Sequence, residues 1–135
     1  MRVSSLRASI EERAKGRCEY CQAPQRVCGY RFHLEHVVPV ALGGSNTLSN
    51  RALACASCNL AKADKIRGRD PASGAEAPLF NPRRQDWEEH FRWADDEQTL
   101  LALTACGRAT IHALDLNSDL RRAARRLWFA VGLLP

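Results

Sequence analysis

Four cysteines form two closely spaced pairs, Cys18 with Cys21 and Cys55 with Cys58, and each pair has two residues between its members. Structural Zn²⁺ takes four ligands at the corners of a tetrahedron, and a C-x-x-C turn supplies two thiolates from one bend. Two such turns therefore predict one closed zinc site. Because a closed site has no open position for water, we expect this zinc to stabilise the fold and to take no part in catalysis.

Between the two cysteine pairs, the segment His33-Leu34-Glu35-His36 precedes Pro39 and offers groups that phosphodiester hydrolysis needs. A positioned imidazole takes a proton from water, and a carboxylate holds a cation that neutralises charge on the phosphate. His36 is the candidate base, and Glu35 lies beside it. Adjacent side chains of a regular strand point to opposite faces, so the strand must twist or end near Pro39 if both groups are to address one phosphate.

Together these motifs resemble the HNH endonuclease family, whose fold is the ββα-metal motif. The matching elements, in order, are His33-Leu-Glu-His36-Val-Val-Pro39, Gly43-Gly44, Asn50 and Cys55-x-x-Cys58-Asn59-x-x-Lys62. The resemblance is concentrated in residues 17–65. The second half of the chain is similar to the tail of a bacterial subfamily that has a C-terminal extension.

The resemblance implies a role for each polar residue of the motif. His36 corresponds to the general base, Asn50 to the asparagine that braces the loop, and Asn59 to the third signature position. Glu35 corresponds to the metal-binding acid, and His33 is either an extra metal ligand or phosphate contact or a partly exposed strand histidine. Carboxylate and amide oxygens favour Mg²⁺ or Mn²⁺. The implied activity is cation-dependent hydrolysis of DNA phosphodiester bonds, with 5′-phosphate and 3′-hydroxyl products.

Basic residues that follow the second cysteine pair are candidate contacts to DNA phosphates, and they are Lys62, Lys65, Arg67 and Arg69. The formal net charge is +5, and four thiolates (−4) with one Zn²⁺ (+2) change it by −2, to +3. A modest positive charge permits nucleic-acid binding, and phosphate contacts do not select a base sequence. We therefore expect DNA as the partner, without a predicted recognition sequence.

The chain has no run of about 18 apolar residues that would span a bilayer, and its first residues lack the apolar core of a secretory signal. We expect a cytoplasmic protein with no membrane partner, and the sequence indicates no protein partner. Cytosolic thiols stay reduced, so paired C-x-x-C motifs there favour metal over disulfides. Cys28 and Cys106 lie outside the pairs and are expected to be small buried hydrophobic residues.

The predicted class is α+β: a ββα core stapled by a four-cysteine zinc site, with an N-terminal helix and a C-terminal subdomain of mixed hairpin and helices. The predicted elements of the first half are, in order, a helix over 5–15, a loop over 22–30, strands over 31–38 and 51–54, and a helix over 58–65. Ser57 is the predicted cap of that last helix.

The stretch 68–78 is rich in Gly, Pro, Ala and Ser and predicts a surface connection. It separates a nuclease core over 1–69 from a subdomain over 79–135 that we expect to pack on it as one folding unit, as suits a chain of 135 residues. The predicted elements beyond it are a short helix or turn over 86–92, hairpin strands over 91–94 and 99–104, and helices over 109–116 and 119–131. Ser118 is the predicted cap of the last helix, whose core-facing stripe is Leu120, Ala124, Leu127 and Val131.

Two other functions remain open. A non-catalytic, zinc-stabilised nucleic-acid-binding module would share the cysteines and basic residues, but it would not need Glu35, His36 and Asn59 together, and their coexistence favours the enzyme. A protein-interaction adaptor would use the zinc module to present the aromatic second half, and it would bind neither DNA nor a second metal. His90 and His112 are expected to be structural.

Overall fold

The computed structural model describes residues 3–135, which form six α-helices, two 3-10 helices and three two-stranded antiparallel sheets. In chain order the elements are α1 (Val3–Arg13), α2 (Gln25–Cys28), β1 (His33–His36), 3-10 turns at Val40–Leu42 and Leu48–Asn50, β2 (Arg51–Ala54), α3 (Ala56–Lys62), β3 (Arg67–Arg69), β4 (Glu76–Pro78), α4 (Trp87–His90), β5 (Phe91–Trp93), β6 (Leu100–Ala102), α5 (Ala105–Leu114) and α6 (Asp119–Ala130). The predicted α+β class is confirmed.

The chain divides into two compact units. The first is Met1–Ile66, described from residue 3, together with Asn81–Gln85; the second is Arg67–Phe80 together with Asp86–Pro135. The division into 1–69 and 79–135 stays a prediction. Within residues 3–135 no helix has the length and apolar character needed to cross a membrane.

The first unit contains the ββα arrangement. β1 and β2 pair in antiparallel register, with His33 opposite Ala54 and His36 opposite Arg51, and α3 follows β2 almost directly. β2 has the predicted bounds, whereas β1 is shorter than the predicted 31–38. It ends early because the Val38 N–H bonds to the side chain of Asn50 instead of a neighbouring strand. The order of elements nevertheless confirms the expected strand, loop, strand and helix.

Two local predictions in this unit were wrong. A helical turn, α2, lies in the predicted loop; Pro24 precedes it with a φ of −76°, and Gly29 ends it with a left-handed φ of 81°. α3 begins at Ala56 and is capped by Cys55, whose Sγ accepts a hydrogen bond from the Cys58 N–H at 3.4 Å. Ser57 is therefore not the cap, because it lies inside the helix and the Cys55 sulfur already accepts the free Cys58 N–H.

The second unit contains a hairpin, β3 and β4, in the stretch 68–78 that was predicted as a surface connection. The turn is organised by Asp70, which is 1% exposed and accepts hydrogen bonds from the Ala72 N–H at 2.9 Å and the Ser73 hydroxyl at 2.9 Å. The Arg108 guanidinium pairs with the same carboxylate at 2.9 Å. β5 and β6 form the predicted second hairpin, and Thr104 caps α5 at Gly107, so that helix begins earlier than predicted.

The last helix, α6, does not bury the predicted apolar stripe. Leu120, Leu127 and Val131 are 85%, 67% and 70% exposed, whereas Arg125 is 1% exposed. The Arg125 guanidinium donates to the Gln98 carbonyl at 2.7 Å and also to the Leu116 carbonyl. Because carbonyl oxygens accept hydrogen bonds from its donors, part of the cost of burying this charge is offset. The Ser118 cap is confirmed, since its Oγ accepts the Arg121 N–H.

Candidate active site and metal centre

The four paired cysteines converge on one point. All four are buried, their Sγ atoms lie within 4.8 Å of one another, and Cys21 Sγ is 3.7 Å from Cys55 Sγ. Two sulfurs bound to one tetrahedral zinc, each at a Zn–S distance of about 2.3 Å, are about 3.8 Å apart. The donor set and its spacing therefore fit the predicted structural zinc, which would join the turn after α1 to the start of α3.

The electrostatics of this cluster call for a cation. Burial raises the pKa of Cys18, whereas hydrogen bonds from the neighbouring thiols lower the pKa of Cys55. Four buried sulfurs at this separation cannot all be thiolates unless a positive charge lies among them. A zinc ion bound by four thiolates supplies that charge and leaves no ligand position for water. Of the two cysteines outside the cluster, Cys106 is buried and Cys28 is half-buried.

Glu35 points away from solvent and towards α3. Its side chain and that of Lys62 are 4% and 2% exposed, and Lys62 Nζ lies 2.8 Å from a Glu35 carboxylate oxygen. The same ammonium donates to the Val37 carbonyl at 2.9 Å. Burial raises the pKa of Glu35, while the Lys62 charge opposes that rise. The carboxylate thus already has a cation as its partner.

This pair bears on two predicted roles. Lys62 is 1% exposed, so its placement does not favour the predicted phosphate contact, which stays a prediction. Glu35, as placed, does not fit a divalent cation either, because the cation would have to approach beside the Lys62 ammonium. Two unit charges 4 Å apart interact by about 4 kcal/mol at an effective dielectric of 20, and a dication roughly doubles this repulsion. The prediction of Glu35 as a metal ligand therefore disagrees with the structure.

Asn50 ties together the two ends of the loop between β1 and β2. It is 9% exposed; its Oδ1 accepts the Val38 N–H, and its Nδ2 donates to the carbonyls of Val38 and Ser45, each at 2.9 Å. Gly44 passes so close that a Cβ there would overlap the Val38 carbonyl oxygen and lie 2.7 Å from Asn50 Nδ2. These contacts fix the loop that follows His36.

His36 ends β1 and faces this loop. Its Nε2 lies 2.7 Å from Oδ1 of Asn46, and the Asn46 carbonyl accepts a hydrogen bond from Arg51 at 3.4 Å. The amide oxygen can accept a hydrogen bond only from the tautomer that has its proton on Nε2, and in that tautomer Nδ1 holds the lone pair. Glu35 and His36 therefore diverge, one towards α3 and one towards the loop, as strand alternation requires. Sequence reasoning missed Asn46, since an asparagine in a Gly-rich loop is a common turn residue.

The remaining predicted residues do not form one cluster. His33 is exposed at the start of β1, and Asn59 is half-buried on α3, three residues before Lys62. Lys65 is exposed after α3, whereas Arg67 lies in the second unit and pairs with Glu76 at 3.4 Å. Lys62, Lys65 and Arg67 thus have three different environments, which the basic run in the sequence did not distinguish.

Comparison with known proteins assigns the ββα unit to a class. Residues 18–65 match the sequence model of the HNH endonuclease family, and this match spans 48 of the 135 residues. The resemblance to the HNH endonuclease family found in the motifs is therefore confirmed over residues 18–65. No curated protein and no solved structure gives a significant match to the chain.

Proposed function

We propose that this protein is an endonuclease that hydrolyses DNA phosphodiester bonds, with His36 as the general base. The observation that carries the proposal is the placement of His36 within the matched domain. Its ring is held by Asn46, on a loop that Asn50 fixes at both ends. A general base must have one nitrogen free to accept a proton and an orientation set by its other contacts.

In the proposed reaction, Nδ1 of His36 takes a proton from a water molecule while the water oxygen forms a bond to phosphorus. The bond between phosphorus and the 3′ oxygen breaks, and that oxygen takes a proton from a second water molecule to become the 3′-hydroxyl. The products implied by the family resemblance are a 5′-phosphate and a 3′-hydroxyl. Asn46 acts here as a positioning residue, because its amide oxygen selects the tautomer in which Nδ1 is the acceptor.

The family resemblance also implies a divalent cation, Mg²⁺ or Mn²⁺, which would neutralise charge on the phosphate. Because Glu35 is paired with Lys62, we derive no step through that cation and do not retain Glu35 as its ligand. We keep Asn59 as the third residue of the proposed site. It lies three residues from Lys62, and residues three apart share one face of a helix.

We further propose DNA as the partner and the cytosol as the compartment, since a reducing environment keeps four thiols available for zinc. The exposed Lys65 remains a proposed phosphate contact, and His33 remains a candidate for an additional contact to phosphate or metal.

The proposal is tested by incubating supercoiled plasmid with the zinc-loaded protein and either Mg²⁺ or Mn²⁺. The His36→Ala variant is expected to nick about 10²–10⁴-fold more slowly, the usual contribution of a general base. His112→Ala, which removes an exposed histidine of α5, is the matched control and should retain full activity. Equal cutting by wild type and His36→Ala would refute the assignment. Plasmid binding without cutting, in both cations, would favour the non-catalytic binding module.

A further inference from the structure

An open cavity of about 490 Å³ lies on the first unit, between α1, α2 and the residues that lead into β1. Guanidinium groups line it from three directions: Arg7 on α1, Arg26 on α2 and Arg31 just before β1. Glu11 is the acidic residue of the lining, and its carboxylate accepts a hydrogen bond from the Gln25 amide at 2.5 Å. Three positive side chains and one negative side chain (+3 − 1) leave the lining with a formal charge of +2.

Hydrogen bonds that do not involve Arg26 or Arg31 hold other residues of the lining in place. Arg7 donates to the Phe32 carbonyl at 2.9 Å, and Gln25 Oε1 accepts the Phe32 N–H at 2.7 Å. Arg26 and Arg31 are both exposed, and within residues 3–135 neither forms a salt bridge with a carboxylate. Both guanidinium groups are therefore accessible to a ligand, while hydrogen bonds hold Arg7 and Gln25 in the lining.

Tyr30 gives the cavity an aromatic edge. Its hydroxyl accepts the Ala56 N–H at 2.9 Å, and its ring lies 5.4 Å from the Phe32 ring at an interplanar angle of 53°. These contacts fix the side chain, yet it is 44% exposed. Guanidinium forks beside an exposed aromatic ring match the chemistry of a nucleic-acid strand, which presents phosphates for charge-assisted hydrogen bonds and sugars and bases for ring contacts.

We propose that this cavity binds backbone phosphates of the DNA, through Arg26 and Arg31, on one side of the bond that is cut. This inference rests on the proposed nuclease function. Five residues separate Arg31 from His36, so their Cα atoms are at most roughly 18 Å apart. At 3.4 Å per base pair, this upper limit corresponds to about five base pairs, which places the proposed phosphate contacts on DNA that flanks the bond attacked at His36.

The test measures binding without cleavage. A fluorescein-labelled DNA duplex is titrated with zinc-loaded protein in the absence of Mg²⁺ and Mn²⁺, and anisotropy gives Kd across a series of salt concentrations. The test variant is Arg26→Gln with Arg31→Gln; Arg7 is left in place because it also holds the Phe32 carbonyl. The matched control is Arg92→Gln with Arg126→Gln, which removes two exposed arginines from the second unit.

The Arg26/Arg31 variant is expected to bind about tenfold more weakly at low salt. The logarithm of the association constant falls as the logarithm of the salt concentration rises, and this dependence should become shallower in the variant. The magnitude of the slope should decrease by about 1.8, or about 0.9 for each phosphate that the variant no longer neutralises. The control should bind as wild type does. Equal weakening of both variants would overturn the proposal, because the arginines would then act only through net charge. Unchanged binding by the Arg26/Arg31 variant would also overturn it, and so would absence of binding by wild type. The plasmid assay with His36→Ala remains an independent test of the nuclease assignment.

Discussion

Two buried groups of ionisable side chains lie in the first unit, and they differ in whether they contain their own counter-charge. The four sulfurs of the cysteine cluster lie within 4.8 Å of one another, and the pKa of Cys18 is raised by burial and by the other three thiols. The Glu35 carboxylate, in contrast, has the Lys62 ammonium at 2.8 Å. The cysteine cluster needs a bound cation as its counter-charge, whereas Glu35 receives its counter-charge from the polypeptide itself.

The difference explains why the two sites respond differently to a metal ion. The thiolates gain a positive partner when zinc binds, so the free energy of binding becomes free energy of folding. To bind a divalent cation, Glu35 would have to give up its contact with the Lys62 ammonium, which also donates to the Val37 carbonyl at 2.9 Å. A divalent cation at Glu35 would therefore have to displace part of the contact between α3 and the end of β1.

The largest effect should follow removal of zinc. Chelation, or Cys58→Ala, should unfold the first unit, because structural zinc sites contribute roughly 10–16 kcal/mol of apparent binding free energy. The amide protons of β1 and β2 should then exchange rapidly, as measured by hydrogen–deuterium exchange. Cys28→Ala is the matched control, since Cys28 lies outside the cluster, and that variant should retain one zinc per chain. Full protection of β1 and β2 in zinc-free protein would show that the cluster needs no cation.

A smaller but still large effect is expected for Lys62→Met. The substitution keeps the length of the side chain and leaves the buried Glu35 without its counter-charge, which should lower the free energy of unfolding by about 3–5 kcal/mol. Urea denaturation of the zinc-loaded protein measures the change. Lys65→Met removes the same charge from an exposed lysine three residues later and should change stability by less than about 0.5 kcal/mol. Similar values for the two variants would contradict the buried pair.

A second substitution should partly rescue the pair, although none could rescue the cysteine cluster. In the Glu35→Gln, Lys62→Met double variant neither charge is left unpaired. Its loss of stability should therefore be smaller than the sum of the two single losses, by about 1–3 kcal/mol. The measurement is a double-mutant cycle by urea denaturation at constant zinc. Additive losses would mean that the two side chains do not stabilise each other.

The two groups also differ in how far the sequence predicts them. C-x-x-C spacing restricts the separation of two sulfurs through covalent geometry, so Cys18 and Cys21 could be assigned to one metal before any fold was known. The partner of Lys62 lies 27 residues away, from 35 to 62, and no local rule connects them. A lysine at the end of a helix is usually exposed, which favoured its assignment to DNA over a buried ion pair.

The same contrast between local and non-local information appears in the second unit. The periodicity of α6 predicted an apolar face, and Ser118 marked where the helix starts, yet it is Arg125 that is buried. The spacing of apolar residues identifies an apolar face of a helix, but it does not show which other element packs against that face. The carbonyl of Gln98 that accepts from Arg125 could not be recognised from sequence. Likewise, the turn around Asp70 lay in a stretch whose composition indicated only a loop.

The smallest predicted effect is a difference in pH dependence, and it separates the two groups by sign. Burial raises the pKa of Glu35, so the folded protein takes up this proton at a higher pH than the unfolded chain does. Between the ordinary pKa of about 4.3 and the raised value, folding binds a proton, and the free energy of unfolding must fall as pH rises. Zinc binding shows the opposite trend, because protons compete with zinc for thiolates.

Comparing Glu35→Gln with wild type at constant zinc isolates the glutamate, since both proteins share the pH dependence of the cysteine cluster. The stability of wild type relative to Glu35→Gln should decrease with rising pH in that window, by at most about 1.4 kcal/mol per pH unit. The free energy of unfolding of the control Glu12→Gln, at an exposed position of α1, should change with pH as that of wild type does. A wild-type advantage that grew with pH would mean that Lys62 outweighs burial and holds Glu35 ionised. The pair would then resemble the cysteine cluster, in which an added cation keeps buried anions charged.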